Sequence, residues 1–401
     1  MEFFKADRVY DFMRFRRFFV GLSLIVVIAA LVGLFFPGLN YGIDFAGGTE
    51  LQLRFGGAIG TAELRRALEA MGYRNADVIA VTGRANTYII RVREVTRLPA
   101  DINKRIQDEL KEVLSVGVRN VRVSPGGDKV SIALEGEAPF EAIREGLVRA
   151  GLEVRGEVRR FGPESEHRYE ADLVGLADQM IQELEKRLGE RGPKEVERIE
   201  WVGPRVGEQL RTSAIRAVVY AIVFIMVYVA FRFDLRFAPG GVIALFHDAL
   251  FTVLFYVVTQ KEFNLTTVAA ILTVVGYSIN DTIVVYDRIR ENLGRYRGTS
   301  FAEIINISIS QTLGRTIITS GTTILSVLPF LYFGTRAVQD IVLAMVIGFI
   351  AGTYSSIYIA APITEWIDIR FFAPARERLQ KELAEKRRKA QATPGASVIR
   401  N

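Results

Sequence analysis

An aspartate inside an uncharged run is the first feature of this sequence that asks for a chemical reason. Asp281 ends the hexapeptide Gly276-Tyr-Ser-Ile-Asn-Asp281, within the apolar stretch from Phe263 to Val285, and Tyr277, Ser278 and Asn280 occupy the neighbouring helix turns. Asp248 stands beside His247 within a second apolar stretch, Arg315 opens a third, and Asp340 opens a fourth. A charged side chain at the centre of a membrane span costs roughly 2.5–3.5 kcal/mol on insertion scales, so each of these residues is a functional candidate. Asp281 leads them, because hydroxyls and an amide crowd its own helix and the run Thr316, Thr319, Ser320, Thr322, Thr323 and Ser326 gives the next segment a polar face. Burial works against a charged carboxylate and a nearby guanidinium works for it, so an Asp281–Arg315 pair can be opened and closed by a proton. Tyr277, Ser278, Asn280, Thr319 and Thr323 are the expected polar support, and Asp248 is the third candidate for proton coupling.

A blander reading stands beside each of these. Arg315 also fits a helix-end cation that orients the chain, and Asp340 fits an interface carboxylate at a helix start. Asp248 and His247 equally suit a structural hydrogen-bonded pair, and Asp287, among Arg288, Arg290 and Glu291, reads as a surface carboxylate. The familiar enzymatic signatures are missing. There is no G-x-x-x-x-G-K-[ST] loop for ATP, no cysteine, and only two histidines from which to build a metal site. Two membrane carboxylates raise an intramembrane aspartyl protease, since a pair sharing a proton can activate water, but its Gly-x-Gly-Asp motif is not present. No enzymatic activity and no cofactor are expected.

The elements that must hold these residues are membrane helices. Half of the 401 residues are hydrophobic while 24% are charged, a mixture that implies segregation into two environments. A hydrocarbon core needs roughly 20 helical residues to cross, and six segments meet or approach that length: Phe18 to Phe36, Ala214 to Phe231, Pro239 to Thr259, Phe263 to Val285, Thr316 to Phe333, and Val338 to Ile363. The first is too long for a signal-peptide core and no small-residue cleavage motif follows it. Lysine and arginine cluster before the first span (Lys5, Arg8, Arg14, Arg16, Arg17), after the second (Arg232, Arg236), after the fourth (Arg288, Arg290, Arg295, Arg297) and in the tail (Lys386 to Lys389), which six spans place on one side. That side is expected to be the cytoplasm, with residues 39–212 outside; Arg211 and Arg216 run against the rule and can snorkel. The net charge of +6 is thus a matter of orientation, and no nucleic-acid partner is expected.

The external segment reads as an internal repeat. Strand Leu51 to Phe55, helix Thr61 to Met71, strands Asp77 to Val81 and Tyr88 to Val92, helix Ala100 to Leu114 and strand Val118 to Val123 give the order βαββαβ. The order recurs in strand Val130 to Leu134, helix Pro139 to Ala150, strands Glu153 to Arg160 and Arg168 to Leu173, helix Leu176 to Leu188 and strand Val196 to Trp201. Glu109-Leu-Lys-Glu-Val-Leu114 is echoed by Glu183-Leu-Glu-Lys-Arg-Leu188. The expected fold is therefore an α-helical polytopic membrane protein with an α+β extracytoplasmic domain of two tandem ferredoxin-like units. Its expected parts are a cytoplasmic N-terminus (1–17), the first span (18–38), two external units (39–125 and 126–212), spans two to six (213–369) and a basic cytoplasmic tail (370–401).

Several stretches together resemble the SecD/SecF family. Tyr41-Gly-Ile-Asp-Phe-Ala-Gly-Gly-Thr49, which contains Gly42, Asp44, Gly47, Gly48 and Thr49, resembles the G-x-D-F-x-G-G-T signature that SecD and SecF share. The run VVGYSINDTIVVYDRIREN from Val274 to Asn292, and Gln311-Thr-Leu-Gly-Arg-Thr316 followed by ITSGTT, resemble the fourth-span and fifth-span signatures of the SecF side. Gly203-Pro-Arg-Val-Gly207 and Phe246-His-Asp248 also fit.

The resemblance implies half of an RND-type transporter in the bacterial cytoplasmic (inner) membrane, completed by SecD in a separate chain. It implies a proton-driven accessory motor for the late steps of protein export, in which Asp281 matches the essential membrane aspartate and Arg315 its partner. Implied partners are SecD, the SecYEG channel, YajC/YidC-type accessory proteins, the translocating unfolded polypeptide and the lipid bilayer. The second external unit is a departure from the usual SecF pattern. An RND-type proton-coupled exporter half for small molecules or lipids remains the alternative.

Overall fold

The computed structural model describes residues 8–74, 76–81, 83–296 and 298–374. Lys5, Arg297, the Lys386 to Lys389 cluster and most of the expected basic tail lie outside the described residues. The chain divides into two compact units, one built from residues up to Asn40 and from Ile215 onward, the other Tyr41–Ala214.

Among the described residues six helices are long and apolar enough to cross a membrane: Met13–Phe35, Pro204–Arg232, Ala238–Thr259, Leu265–Arg295, Phe301–Phe333 and Val338–Phe372. About half of the apolar window of the third, fourth and sixth is buried (56%, 56% and 50%), against 17%, 11% and 11% for the first, second and fifth. The third, fourth and sixth spans therefore form the packed centre, and the others present apolar faces outward. The fourth and fifth helices are longer than their apolar runs because each begins or ends with polar turns that remain helical. The Asn264 side chain caps the fourth by accepting from the Thr267 N–H at 3.0 Å, and Ser300 caps the fifth by accepting from the Glu303 N–H at 3.2 Å. The sixth helix loosens into π turns at Ser356–Ala360 and Asp368–Phe372. Such turns often accompany functional sites.

The second unit holds two four-stranded antiparallel sheets, as the alternating segments predict, but the strands are dealt out differently from a simple tandem. Gly48–Phe55 pairs on one side with Thr87–Val92 and on the other with Pro193–Val202, while Asp77–Ala80 closes the far edge. The strand expected to complete the second copy thus completes the first sheet. Helix Leu176–Leu188 goes with it, since Leu176, Met180 and Leu184 share one core with Leu51, Leu64, Leu68 and Ile90. The second sheet runs Val118–Val123, Lys129–Leu134, Arg168–Leu173, Val154–Arg160 and is inserted between strand Thr87–Val92 and that helix. Its core takes Ile106 and Leu110 from helix Ile102–Val113 and Ile143 and Leu147 from helix Phe140–Arg149. These two helices approach closely at Gly146, where a Cβ would lie 2.6 Å from the Leu110 Cδ2. Period-2 and period-3.6 patterns specify which face of each element is buried, but a βαββαβ string read twice accommodates any cyclic shift of its elements.

Candidate functional site

Two of the buried carboxylates of the membrane unit, Asp281 and Asp248, lie among hydroxyl groups contributed by the fourth, fifth and sixth spans. Asp281 on the fourth span is 2% exposed, and its Oδ2 accepts from Ser320 Oγ on the fifth span at 3.0 Å and from Thr353 Oγ1 on the sixth at 3.3 Å. Thr353 Oγ1 also reaches Ser320 Oγ at 2.8 Å, so the two hydroxyls form a chain ending on the carboxylate. Asp248 on the third span is fully buried; its Oδ2 accepts from Ser278 Oγ at 2.5 Å and Ser355 Oγ at 2.7 Å, and its Oδ1 faces His247 Nδ1 at 2.9 Å. Hydroxyl donors replace the water that a carboxylate loses on entering an apolar span.

Close helix approach makes this layer possible. On the sixth span, a Cβ at Gly348 would lie 2.3 Å from Val274 Cγ2, and one at Gly352 would lie 2.9 Å from Ser278 Cβ. The pairs Gly348/Gly352 and Val274/Ser278 are each spaced i, i+4, so one glycine face of the sixth span sits against one face of the fourth. That contact puts Thr353 beside Asp281 and Ser355 beside Asp248. Neither hydroxyl was singled out by sequence, although the G-x-x-x-G spacing in Gly348-Phe-Ile-Ala-Gly352 marks the seam that carries them.

The other expected site residues separate into groups. Ser278 serves Asp248 rather than Asp281, one turn further along its own helix. Tyr277 hydrogen-bonds Thr323 through their hydroxyls at 2.9 Å, tying the fourth span to the fifth. Thr319 Oγ1 donates to the backbone carbonyls of Arg315 and Thr316, at 3.0 and 3.1 Å, so it serves its own helix. Asn280 is exposed, and among the described residues no hydrogen bond links it to Asp281. Arg315 is exposed too, and no ion pair within 4.0 Å joins it to Asp281. It lies five residues before Ser320 on the fifth helix, about 7.5 Å along the axis at 1.5 Å per residue. Asp340 pairs with Lys261, and Asp287 pairs with Arg290 at 3.5 Å.

The glycine signature in the other unit is a close-packed backbone junction. Gly47 (φ 73°) and Gly48 (φ 132°) both adopt conformations that favour glycine. A Cβ on Gly48 would lie 2.3 Å from the Val92 carbonyl oxygen, and one on Gly47 would lie 3.0 Å from Pro204 Cα. Gly207 closes the same junction, where a Cβ would lie 3.0 Å from the Phe45 carbonyl oxygen, and Thr49 Oγ1 donates to the Glu94 carbonyl at 2.9 Å. Gly42, at the N-terminal end of helical turn Ile43–Ala46, and Asp44 within it complete the motif. The two glycine motifs at either end of this unit thus meet each other, which explains their composition without a ligand.

Six apolar helices, a layered pair of buried carboxylates and an α+β unit of two antiparallel sheets define a multi-pass membrane protein of transporter type. Comparison with known proteins gives the family. Residues 183–370 match the profile described as protein export membrane protein SecD/SecF, C-terminal, and residues 32–59 match the SecD/SecF GG motif. The protein translocase subunit SecF of Koribacter versatilis is 34% identical, with 90% of this chain and 92% of that protein covered; that of Magnetococcus marinus is 35% identical, with 96% and 99% covered. The crystal structure of SecDF, a translocon-associated membrane protein from Thermus thermophilus, superposes with a TM-score of 0.61 at 29% identity, over 91% of this chain and 39% of that one. The present chain therefore spans about two-fifths of the fused SecDF. It belongs to the SecD/SecF family, on its SecF side, as a subunit of the accessory part of the protein translocase and not an enzyme.

Proposed function

We propose that this subunit couples movement of protons through the membrane to the late steps of protein export, with Asp281 as the proton-responsive group and Arg315 as its conformational partner. The observation that carries this reading is the Asp281 site: a carboxylate enclosed in an apolar helix, held by Ser320 and Thr353 from two other helices, with Arg315 five residues before Ser320, about 7.5 Å along the axis of the fifth span. An ionised Asp281 attracts the Arg315 side chain toward the buried layer, and a neutral one releases it, so each proton taken up or lost biases how the fifth span sits against the fourth.

SecD supplies the other half of the membrane assembly in this proposal, supported by the fused SecDF relatives, in which a single chain more than twice as long carries both names. The SecYEG channel, YajC/YidC-type proteins and the emerging unfolded polypeptide are the further partners. Both termini are cytoplasmic and residues 39–212 face outward, as the positive residues flanking the spans suggest. The test is protein translocation into inverted membrane vesicles under an imposed proton gradient. Asp281→Asn, which keeps shape and hydrogen bonding but does not titrate, should lose the gradient-dependent part of the rate while insertion and co-purification with SecD persist. A normal gradient-dependent rate in that variant would falsify the assignment.

A further inference from the structure

We infer that Asp248 is a positioning residue that clamps the third, fourth and sixth spans together, and that it takes no part in proton exchange. This inference rests on the proposed function and divides the work between Asp281 and Asp248.

The surroundings of the two groups differ in a way that bears on this. Three polar side chains converge on Asp248: the Ser278 and Ser355 hydroxyls donate to one oxygen, at 2.5 and 2.7 Å, and His247 Nδ1 faces the other at 2.9 Å. Ser278 has no second acceptor among the described hydrogen bonds, so its proton is committed to the carboxylate, and Ser355 lies closer to the carboxylate than to its second acceptor, the Gly352 carbonyl at 3.1 Å. At Asp281 the Thr353 hydroxyl lies closer to Ser320 Oγ (2.8 Å) than to the carboxylate (3.3 Å), which leaves Ser320 as the one committed donor. Asp248 therefore ties together more side chains than Asp281 does, as a clamp requires.

Enclosure separates them as well. Asp248, Ser355, Ser278 and His247 are each 3% exposed or less. Asp281 is itself 2% exposed, but it meets Thr353, which is half-buried. A group that must exchange protons needs such an outlet, and a clamp does not.

The clamp also has a mechanical basis. Ser278 Cβ lies 2.9 Å from where a Gly352 Cβ would be, so the serine that reaches Asp248 is held by the seam between the fourth and sixth spans. Thr252, one turn on from Asp248, donates its hydroxyl to the Asp248 carbonyl at 2.9 Å and is itself fully buried. His247 has tilted ring contacts with Phe251 and Tyr354, with centroids at 6.0 and 6.1 Å. Every neighbour of the carboxylate is itself fixed by packing.

The experiment compares Asp248→Asn, Asp248→Ala and Asp281→Asn in the full chain with its SecD partner. An asparagine amide reproduces the clamp: its oxygen accepts from both serines and its nitrogen donates to His247 in the other tautomer. Asp248→Asn should keep at least half of the gradient-driven translocation rate and an unaltered pH profile. Asp248→Ala should lose more than tenfold in the folded-to-unfolded ratio of the purified protein. Loss of gradient-driven translocation in a stably folded Asp248→Asn protein overturns the inference, and so does an Asp248→Ala protein as stable as the parent. If Asp281→Asn translocates normally, the proton-coupling reading fails by itself, and the clamp is still decided by the stability of the two Asp248 variants.

Discussion

Replacing Gly348 by alanine tests whether the contact between the fourth and sixth spans organises the carboxylate layer. The added methyl would lie 2.3, 2.6 and 3.0 Å from Cγ2, Cγ1 and Cβ of Val274. Because all three branching carbons are too close, no valine rotamer relieves the clash, and the helices must separate by about 1 Å to restore ordinary carbon contacts near 3.5 Å. A shift of that size lengthens the Thr353–Asp281 hydrogen bond from 3.3 Å to beyond hydrogen-bond range, and strains the clamp in which Ser278 and Ser355 share Asp248.

Overpacking of this kind costs about 1–3 kcal/mol, and each lost interhelical hydrogen bond adds about 0.6 kcal/mol. Alanine regains up to about 1 kcal/mol in helix propensity, so the net loss should be near 2 kcal/mol, roughly a thirtyfold change in the unfolding equilibrium. The assay is reversible unfolding in mixed micelles as a double-mutant cycle with Val274→Ala, which removes the opposing methyls. The double variant should be at least about 1 kcal/mol more stable than the sum of the singles predicts. Additive effects, or a Gly348→Ala protein within about 0.5 kcal/mol of the parent, would refute the seam as the element that sets hydroxyl positions.

Further outcomes are open to direct measurement. Arg16→Ala leaves the buried Glu365 carboxylate without the guanidinium 3.3 Å away, and should cost about 2 kcal/mol after allowance for the half-exposed arginine; adding Glu365→Gln should recover part of that in the same unfolding assay. Gly126→Ala places a methyl 2.8 Å from Trp201 Nε1, beside a cavity of about 340 Å³ between the two sheets, and should shift Trp201 emission to longer wavelength in a Trp366→Phe background; an unmoved spectrum means that the indole was not held there. Burial pushes the Tyr73 phenol above its ordinary range near 10, against the opposing pull of Arg97, whose guanidinium lies 4.4 Å from the ring centroid. Its stabilising contribution is therefore fully present below about pH 10 and lost as the pH rises through the higher folded value; Tyr73→Phe should make the unfolding temperature less sensitive between pH 9 and 11.

The membrane part of the fold is legible because lipid imposes a length and a composition on each helix independently. The α+β unit is only partly so. Alternation in Val130–Leu134 or the Leu176, Met180, Leu184 stripe tells which side is buried, whereas the choice of sheet is made by distant partners: Pro193–Val202 finds Gly48–Phe55 across the whole unit. Nothing local in that strand distinguishes a pairing with Gly48–Phe55 from one with Lys129–Leu134. The inserted sheet obeys the same periodicities as its host, and so reads as a second copy in series.

The carboxylate layer shows the same division between what a helix states about itself and what its neighbours decide. Asp281 stands out because a charge in an apolar run is costly wherever the helix is placed. Ser278 lies three residues earlier and reads as support for Asp281, since i and i+3 share a face. A helix face is broad enough to meet two neighbours, however, and the sixth span turns Ser278 toward Asp248 by pressing Gly352 against it. Thr353 and Ser355, two residues apart, then serve different carboxylates, Asp281 and Asp248. A single movement of the sixth span therefore changes the hydroxyl supply to both acids at once. Under the proposed function that linkage gives a clamp a use beside a titrating acid: with Asp248 holding Ser355, and through it that end of the sixth span, a change in charge at Asp281 would be directed toward the fifth span and Arg315 rather than spent on loosening the centre of the bundle.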